Sequence, residues 1–399
     1  MMMTDARISR ARPEAYAAAH MGAALHDSSA RGHVWMRDRD RAALLHRLST
    51  NHIERLQPGE GTETVLTTPI GRMIDLLDVY CLEDGLLLVT SPGQGATIHG
   101  YLRKNIFFND RVKVEDAGAT LGEVTLYGPR AAALLAGLGI AVAELAPRGI
   151  AVATWQDTPL YVAGAAPIGG SGYRLMAAPD TLEGLGAALG AAGAVWLDAA
   201  TYDVLRVERG YAAFGRELSQ EYIPLETGLW SAVSFNKGCY VGQEIIARME
   251  SRGRLARQLR GLRFAALPEL PAEASVPLAR LEAEGKEAGD LTSLVDSPRY
   301  GLIGLGYVRT AHAAPGTILH VAGSRVEVTA LPFGENGETR FPHAPPREPI
   351  FTLVCSTFQR YFPHGPGSRL HYLWRCGETA PAALLPNADK ERSHSETML

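Results

Sequence analysis

The sequence has few cysteines, and none is arranged like a metal ligand. Its 399 residues include four, Cys81, Cys239, Cys355 and Cys376. No Cys-x-x-Cys pair or Cys/His cluster with zinc-ligand spacing occurs, so we predict no stable metal site formed by this chain alone. Scattered cysteines also fit a reducing compartment, and we expect a cytoplasmic protein.

Long hydrophobic runs and a strong charge of one sign are also lacking. The longest apolar runs, residues 131–143 and 184–197, are rich in Gly and Ala and too short to cross a bilayer. The first residues contain no apolar segment typical of a signal peptide. The formal net charge of −4 gives no overall attraction to nucleic acid or to a membrane surface. We therefore expect no membrane partner.

Two similar segments suggest an internal repeat. Residues 33–49 and 123–139 each read as a strand followed by an amphipathic helix, and they share six identities in seventeen positions. A duplicated unit would produce this, but so would any two amphipathic strand–helix pairs, and both interpretations stay open. Residues 1–30, which precede the first unit, are expected to be a loose lead-in.

The remaining pattern is mostly β. Residues 71–91 predict two strands around an Asp84-Gly85 turn. Residues 255–333 contain short apolar runs separated by Gly and Pro, which indicates a small barrel or sandwich. We predict an α+β protein with split βαβ (ferredoxin-like) subdomains in residues 31–254, then a small C-terminal β-barrel. Residues 334–399 are expected to be a loosely ordered tail.

The most unusual segment is "SFNKGCYVGQEIIARMESRG", residues 234–253. Apolar spacing predicts a helix after Gly242, with the Glu244 carboxylate in its favourable first turn. Cys239 precedes that helix start and follows Lys237, and both features favour a reactive thiolate. The alternative is an inert cysteine buried in a tight turn.

This segment resembles the KGCYxGQE signature of the YgfZ family. The family consists of folate-binding relatives of the glycine-cleavage T-protein, or aminomethyltransferase, and is associated with iron–sulfur cluster assembly or repair and with tRNA modification. The resemblance covers about residues 31–333 and implies a T-protein-like fold with bound tetrahydrofolate. The matching residues are Lys237, Gly238, Cys239, Tyr240, Val241, Gly242, Gln243 and Glu244.

The resemblance also implies folate-binding residues. Residues 203–229 are similar to the superfamily's Arg-x-Glu, Gly and Pro-x-Glu-x-Gly-Leu pattern, which implies that Glu226 holds the pterin ring. A carboxylate can accept the two parallel donors of the pterin edge. Arg257 resembles an arginine near folate. Because of the same resemblance we expect residues of the motif to border the folate site, namely Gly238, Tyr240, Gly242, Gln243 and Glu244.

Six arginines lie between positions 248 and 263. They could receive the anionic tail of folate, an RNA backbone or an acidic protein face, and they could equally be solvated charges on an edge strand.

Two departures from the T-protein pattern concern the reaction. Asp75 is retained, but Leu76 replaces the second aspartate, and Thr90 replaces an asparagine expected near folate. Leucine cannot exchange a proton, so aminomethyl transfer is disfavoured. T-proteins also lack the cysteine of the motif.

We therefore expect a folate-dependent accessory protein for iron–sulfur proteins, which supports tRNA modification only indirectly. Cys239 alone could contact a cluster only transiently, since a cluster usually has four ligands. The alternatives are a folate-dependent one-carbon transferase or demethylase, and a direct RNA-binding partner.

Overall fold

The computed structural model describes residues 8–142, 145–146, 148–271 and 275–334. Within these residues the chain forms eighteen strands and seven α-helices. The strands are β1 Ser9–Arg10, β2 Ala24–Asp27, β3 Arg31–Arg37, β4 Gly61–Thr67, β5 Met73–Leu82, β6 Gly85–Pro92, β7 Lys113–Asp116, β8 Gly122–Tyr127, β9 Ile150–Trp155, β10 Thr158–Gly164, β11 Gly172–Ala177, β12 Val195–Trp196, β13 Arg257–Phe264, β14 Ala279–Ala283, β15 Lys286–Ser297, β16 Gly301–Arg309, β17 Ile318–Val321 and β18 Ser324–Thr329. The helices are α1 Pro13–Met21, α2 Arg41–Leu48, α3 Gly95–Lys104, α4 Ala131–Gly137, α5 Pro179–Ala191, α6 Ala199–Arg209 and α7 Gln243–Arg252. None of the helices in the described ranges is long and apolar enough to cross a membrane.

The first sheet has five antiparallel strands in the order β4-β5-β6-β3-β7. The predicted hairpin is confirmed, because β5 and β6 pair across the turn that precedes Gly85. Leu44 and Leu45 of α2 and Ile98 of α3 pack with Leu77 and Leu88 of the sheet. These helices therefore cover one face of the sheet.

The second sheet has six strands in the order β12-β2-β8-β11-β10-β9, with only β12 and β2 parallel. Leu135 of α4 and Leu185 of α5 pack against its core residues Leu126, Leu160 and Leu175. Each predicted strand–helix unit is present, β3–α2 in the first sheet and β8–α4 in the second. Whether they are duplicates stays a prediction.

A buried guanidinium joins these two sheets. Arg174 on β11 donates to Asp78 on β5 at 2.7 Å and to Glu123 on β8 at 3.2 Å. Burial alone would raise the pKa of Glu123, but the charge of Arg174 and a hydrogen bond from His33 lower it to about 2. Glu123 therefore stays ionised, and its ion pair with Arg174 fixes how the two sheets pack.

The third sheet is a closed barrel. Its six antiparallel strands follow the order β15-β14-β17-β18-β13-β16, and β16 pairs again with β15. Leu262, Leu281, Leu291, Leu319 and Val326 fill its interior. The predicted α+β class and small C-terminal barrel are confirmed.

Residues 8–30 differ from the expected loose lead-in. β1 pairs in parallel with β15 of the barrel, and β2 is an internal strand of the six-stranded sheet. Between them, α1 begins at Pro13 and buries Ala15 and Ala19 completely. The expectation is wrong for these residues, because short segments can be ordered by pairing with distant strands. The tail predicted from residue 334 lies, from residue 335 onward, outside the described residues.

A second buried charge joins α6 to the barrel. Arg206 donates to Glu217 at 3.2 Å and to Ser293 of β15 at 2.8 Å. The fully buried Glu217 carboxylate also accepts hydrogen bonds from Thr292 and Ser293, both at 2.6 Å. Every charge here is paired and hydrogen-bonded, as burial requires.

We predict that Glu217→Ala lowers the free energy of unfolding by about 3 kcal/mol or more, because it leaves part of the Arg206 charge buried without its partner. Urea denaturation would measure the change. The control is Glu287→Gln, which alters an exposed pair with Arg309 and should leave the midpoint nearly unchanged. Equal midpoints for all three proteins would contradict the role given to Glu217.

Candidate functional site

The cysteine motif forms a loop that ends at the start of α7, so the predicted helix is confirmed. Gly242 precedes the helix with φ +83°, and an added Cβ would lie 2.7 Å from both Thr67 Oγ1 and Thr68 O. Only glycine fits this conformation and this contact. An added Cβ at Gly238, in contrast, would have no heavy atom within 4 Å. The two glycines of the motif therefore have different roles.

Lys237 is a structural residue of this loop. Its side chain crosses to the end of α2, where Nζ donates to the carbonyls of His46, Ser49 and Asn51 at 2.5, 2.6 and 2.7 Å. The residue is 9% exposed, and burial lowers the pKa of the ammonium to about 8. A lysine ammonium has three N–H groups, and all three bind carbonyls. None is left to donate to the thiol of Cys239.

Backbone bonds hold the same loop on both sides of Cys239. Ser234 N donates to Thr50 O at 2.9 Å, and Val241 N donates to Arg47 O at 3.2 Å. Thr67 Oγ1 donates to Val241 O at 2.6 Å. Cys239 lies between these anchors and is exposed, so the alternative is wrong in expecting a buried cysteine. Its reactivity stays a prediction.

The other side chains of the motif diverge. Tyr240 is buried in an apolar cluster with Ile223, Leu225 and Ile246, and burial raises its pKa to about 12. Glu244 is exposed and forms an ion pair with Arg248 at 2.7 Å. Gln243 is half-buried at the first position of α7. The predicted roles of these residues in ligand binding stay predictions.

Glu226 and Arg257, placed together by the sequence prediction, are neighbours. Arg257 Nε lies 3.7 Å from Glu226 Oε1, while Ile223 N donates to Glu226 Oε2 at 3.2 Å. Glu226 is 6% exposed, and burial raises its pKa. The Arg257 guanidinium also lies 5.0 Å from the ring centre of Tyr222, which stacks on Tyr307. A carboxylate, a cation and an aromatic pair thus meet beside the barrel.

Glu226 lines a cavity of about 260 Å³ between residues 225–230, α7 and β13. Its walls are partly apolar, from Leu225, Trp230 and Met249, and partly polar, from Arg260. This combination suits a flat ligand with one polar edge.

A second cavity, of about 280 Å³, was missed by the sequence analysis. It is lined by Glu208, Arg299, Tyr300 and Phe333, among others. Glu208 is 4% exposed and accepts hydrogen bonds from Tyr16 at 2.9 Å and Ser297 at 2.5 Å. The Arg206-x-Glu208 pattern in the sequence pointed to Glu208, but only the tertiary structure places Glu208 and Tyr300 at the same cavity.

Asp75 is a buried carboxyl group in the five-stranded sheet. It is 1% exposed and accepts hydrogen bonds from the backbone N–H of Leu76 at 2.9 Å and of Ser91 at 3.1 Å. Burial raises its pKa to about 6 despite the bonds from Ser91. Next to Ser91, Thr90 accepts a hydrogen bond from Gly32 N at 3.1 Å. Asp75 can therefore change protonation near neutral pH.

The arginines after α7 do not act as one free cationic strip. Arg248 pairs with Glu244, Arg257 lies beside Asp290 at 3.4 Å, and Arg260 donates to Ala313 O at 2.8 Å. Arg254 and Arg263 are exposed. In the part of the chain that the structure describes, no group of three His, Cys, Asp or Glu side chains is placed to hold a metal ion.

Comparison with known proteins identifies the family. The model of the GCVT N-terminal domain matches residues 6–237. The chain belongs to the GCVT N-terminal domain family. A chloroplastic protein of Arabidopsis thaliana, provisionally named a transferase, is 32% identical over 77% of this chain and 70% of its own. An aminomethyltransferase of Halothermothrix orenii is 28% identical over 77% of this chain and 87% of its own.

A solved structure shows the same fold. The glycine cleavage system aminomethyltransferase T of Bartonella henselae superposes with a TM-score of 0.72, at 23% identity, over 80% of this chain and 88% of that one. The T-protein-like fold is thereby confirmed. Membership of the aminomethyltransferase-like superfamily is confirmed by the family match and the relatives above. The narrower YgfZ identification and the cytoplasmic location stay predictions.

We predict that Asp75 makes the free energy of unfolding depend on pH in the acid range. Unfolded aspartate ionises near pH 3.8, whereas folded Asp75 keeps its proton up to about pH 6. The unfolded chain releases the proton first, so stability falls as pH rises through this window. The free energy of unfolding of wild type relative to Asp75→Asn should drop by about 2 kcal/mol between pH 4 and 6. A difference that stays constant over this range in urea titrations would show that Asp75 ionises normally.

Proposed function

We propose that this protein binds a reduced folate, tetrahydrofolate, and acts as an accessory factor in the assembly or repair of iron–sulfur clusters. Its clients would include cluster enzymes that modify tRNA, so that any effect on tRNA is indirect. The observation that carries the proposal is the exposed Cys239, held by a hydrogen-bonded loop on an aminomethyltransferase-like fold.

The folate part is supported by the chemistry of two cavities. A pterin ring is flat and presents adjacent N–H donors along one edge, which a carboxylate can accept in parallel. Glu226 offers such a carboxylate beside Arg257, next to apolar walls. Glu208 offers another, beside Tyr300 and Phe333, with Arg299 available for the anionic tail. We propose Glu226 as the pterin residue and keep Glu208 as the competing candidate.

The accessory role is supported by how the thiol is presented. Lys237 and Gly242 fix the loop on α2 and β4, but they leave the cysteine itself in solvent. An exposed thiol on a loop held by hydrogen bonds can meet a partner protein without prior unfolding. Leu76, which stands where T-proteins have an aspartate, argues in the same direction because it cannot transfer a proton.

A second candidate function is folate-dependent one-carbon transfer. Asp75 favours it, since a buried carboxyl group with a pKa of about 6 suits proton transfer near neutral pH. Relatives named aminomethyltransferase also favour it. Folate-dependent turnover of an aminomethyl donor that is lost in Asp75→Asn would establish this function instead.

Calorimetric titration with tetrahydrofolate tests the binding site. We predict that wild type binds and that Glu226→Gln weakens binding about tenfold or more, because the amide presents only one acceptor to the paired donors. Glu115→Gln, which changes an exposed carboxylate of β7 paired with Arg37, is the control and should bind like wild type. If Glu208→Gln alone loses affinity, the ligand occupies the second cavity. If wild type does not bind, the folate proposal is wrong.

Restoring the protein to cells that lack their endogenous copy tests the accessory role. We predict that wild type raises the activity of a [4Fe–4S] enzyme such as aconitase, without changing the amount of that enzyme's polypeptide. Asp75→Asn should restore this activity as well, because the proposed role uses no proton transfer at that carboxyl group. An unchanged aconitase activity with wild type would reject the accessory role.

A further inference from the structure

Two adjacent phenylalanines project from the turn that follows α3. Phe108 is fully exposed and Phe107 is 61% exposed. They lie in residues 105–112, which connect α3 with β7. We call residues 105–110 the aromatic tip. Single exposed apolar residues are common, but two neighbouring aromatic rings in solvent often mark a surface that another molecule covers.

The aromatic tip is flanked by cations. Arg103 and Lys104 end α3, and Arg111 and Lys113 follow the tip, all four being exposed. None of these four forms an ion pair with another residue of the described ranges. Two acids lie close to the tip: Asp110 is paired with Arg47, and Asp40, which accepts a hydrogen bond from Arg111 N at 2.8 Å, is paired with Arg39. This part of the surface thus has an apolar centre and a positive rim, although the net charge of the protein is negative.

Arg47 links the aromatic tip to the cysteine loop. Its guanidinium lies 4.8 Å from the Phe107 ring centre and donates to Asp110 Oδ1 and Asn105 O, both at 3.3 Å. Its backbone carbonyl accepts the hydrogen bond from Val241, two residues after Cys239. One residue therefore holds both segments, and the tip and the thiol are fixed on neighbouring parts of the surface.

We propose that the aromatic tip and its four cations form the docking surface for the partner protein that meets Cys239. The partner has an apolar pocket for the phenylalanines and an acidic rim, since aromatic anchors supply most interface energy and complementary charges orient the encounter. This inference rests on the proposed accessory function. An anionic membrane could also match this chemistry, but it would place lipid, not a protein, against the cysteine loop.

The test compares variants in the same cellular assay of a [4Fe–4S] enzyme. Phe107→Ser combined with Phe108→Ser should reduce the restored enzyme activity about tenfold or more. Arg103→Glu combined with Lys104→Glu should also reduce it, because this variant reverses the rim charge while the phenylalanines stay in place. Val152→Ser, an exposed apolar residue on β9, is the matched control and should restore activity like wild type. Thermal midpoint and tetrahydrofolate affinity should be unchanged in all three.

The outcomes distinguish a failure of the docking surface from a failure of the accessory role. Full restoration by both tip variants overturns the docking surface and leaves the accessory role in place. Failure of wild type itself rejects the accessory role, and the docking surface falls with it. Cosedimentation with vesicles of phosphatidylserine and phosphatidylcholine distinguishes the membrane. If wild type binds these vesicles and the tip variants do not, the surface is a membrane site and the protein partner is wrong.

Discussion

The structure depends on buried charges that must not be left without partners. Arg174 joins the five-stranded sheet to the six-stranded sheet, and Arg206 joins α6 to the barrel through Glu217 and Ser293. Lys237 does the same for the cysteine loop, with carbonyls as its partners. Apolar packing alone tolerates small shifts, whereas a buried cation has few positions in which its charge is paired and most of its N–H groups are hydrogen-bonded. These three residues therefore specify where the segments lie.

This constraint explains the composition of the cysteine motif. Its lysine donates hydrogen bonds to the carbonyls at the end of α2, and its tyrosine packs in an apolar cluster. Gly242 allows the backbone to approach Thr67 closely. The conspicuous residues around Cys239 thus build a support, and the thiol is what the support displays. The candidate ligand carboxylates belong to other segments, with Glu226 beside β13 and Glu208 at the end of α6. Ligand binding and thiol presentation can accordingly be altered separately.

Much of this could be predicted from local sequence. The periodicity after Gly242 predicted α7, the Asp84-Gly85 pair predicted its hairpin, and regular β runs after residue 255 predicted a barrel. The partners of Lys237 could not be predicted, since they lie almost two hundred residues away in the chain. β1 was missed for the same reason, because two residues acquire strand structure only by pairing with β15. Glu208 belongs to the Arg-x-Glu pattern in the sequence, but only the fold places Tyr300 and Phe333 at its cavity.

The central claim is that the exposed thiol of Cys239 is the working group of this protein. The direct measurement restores [4Fe–4S] enzyme activity with Cys239→Ser in cells lacking the endogenous protein. Asn236→Ala is the control within the same loop, since Asn236 is exposed and the thiol remains. The account predicts that Asn236→Ala restores activity like wild type and that Cys239→Ser does not. Equal restoration by both variants would contradict it and would make the motif a purely structural element.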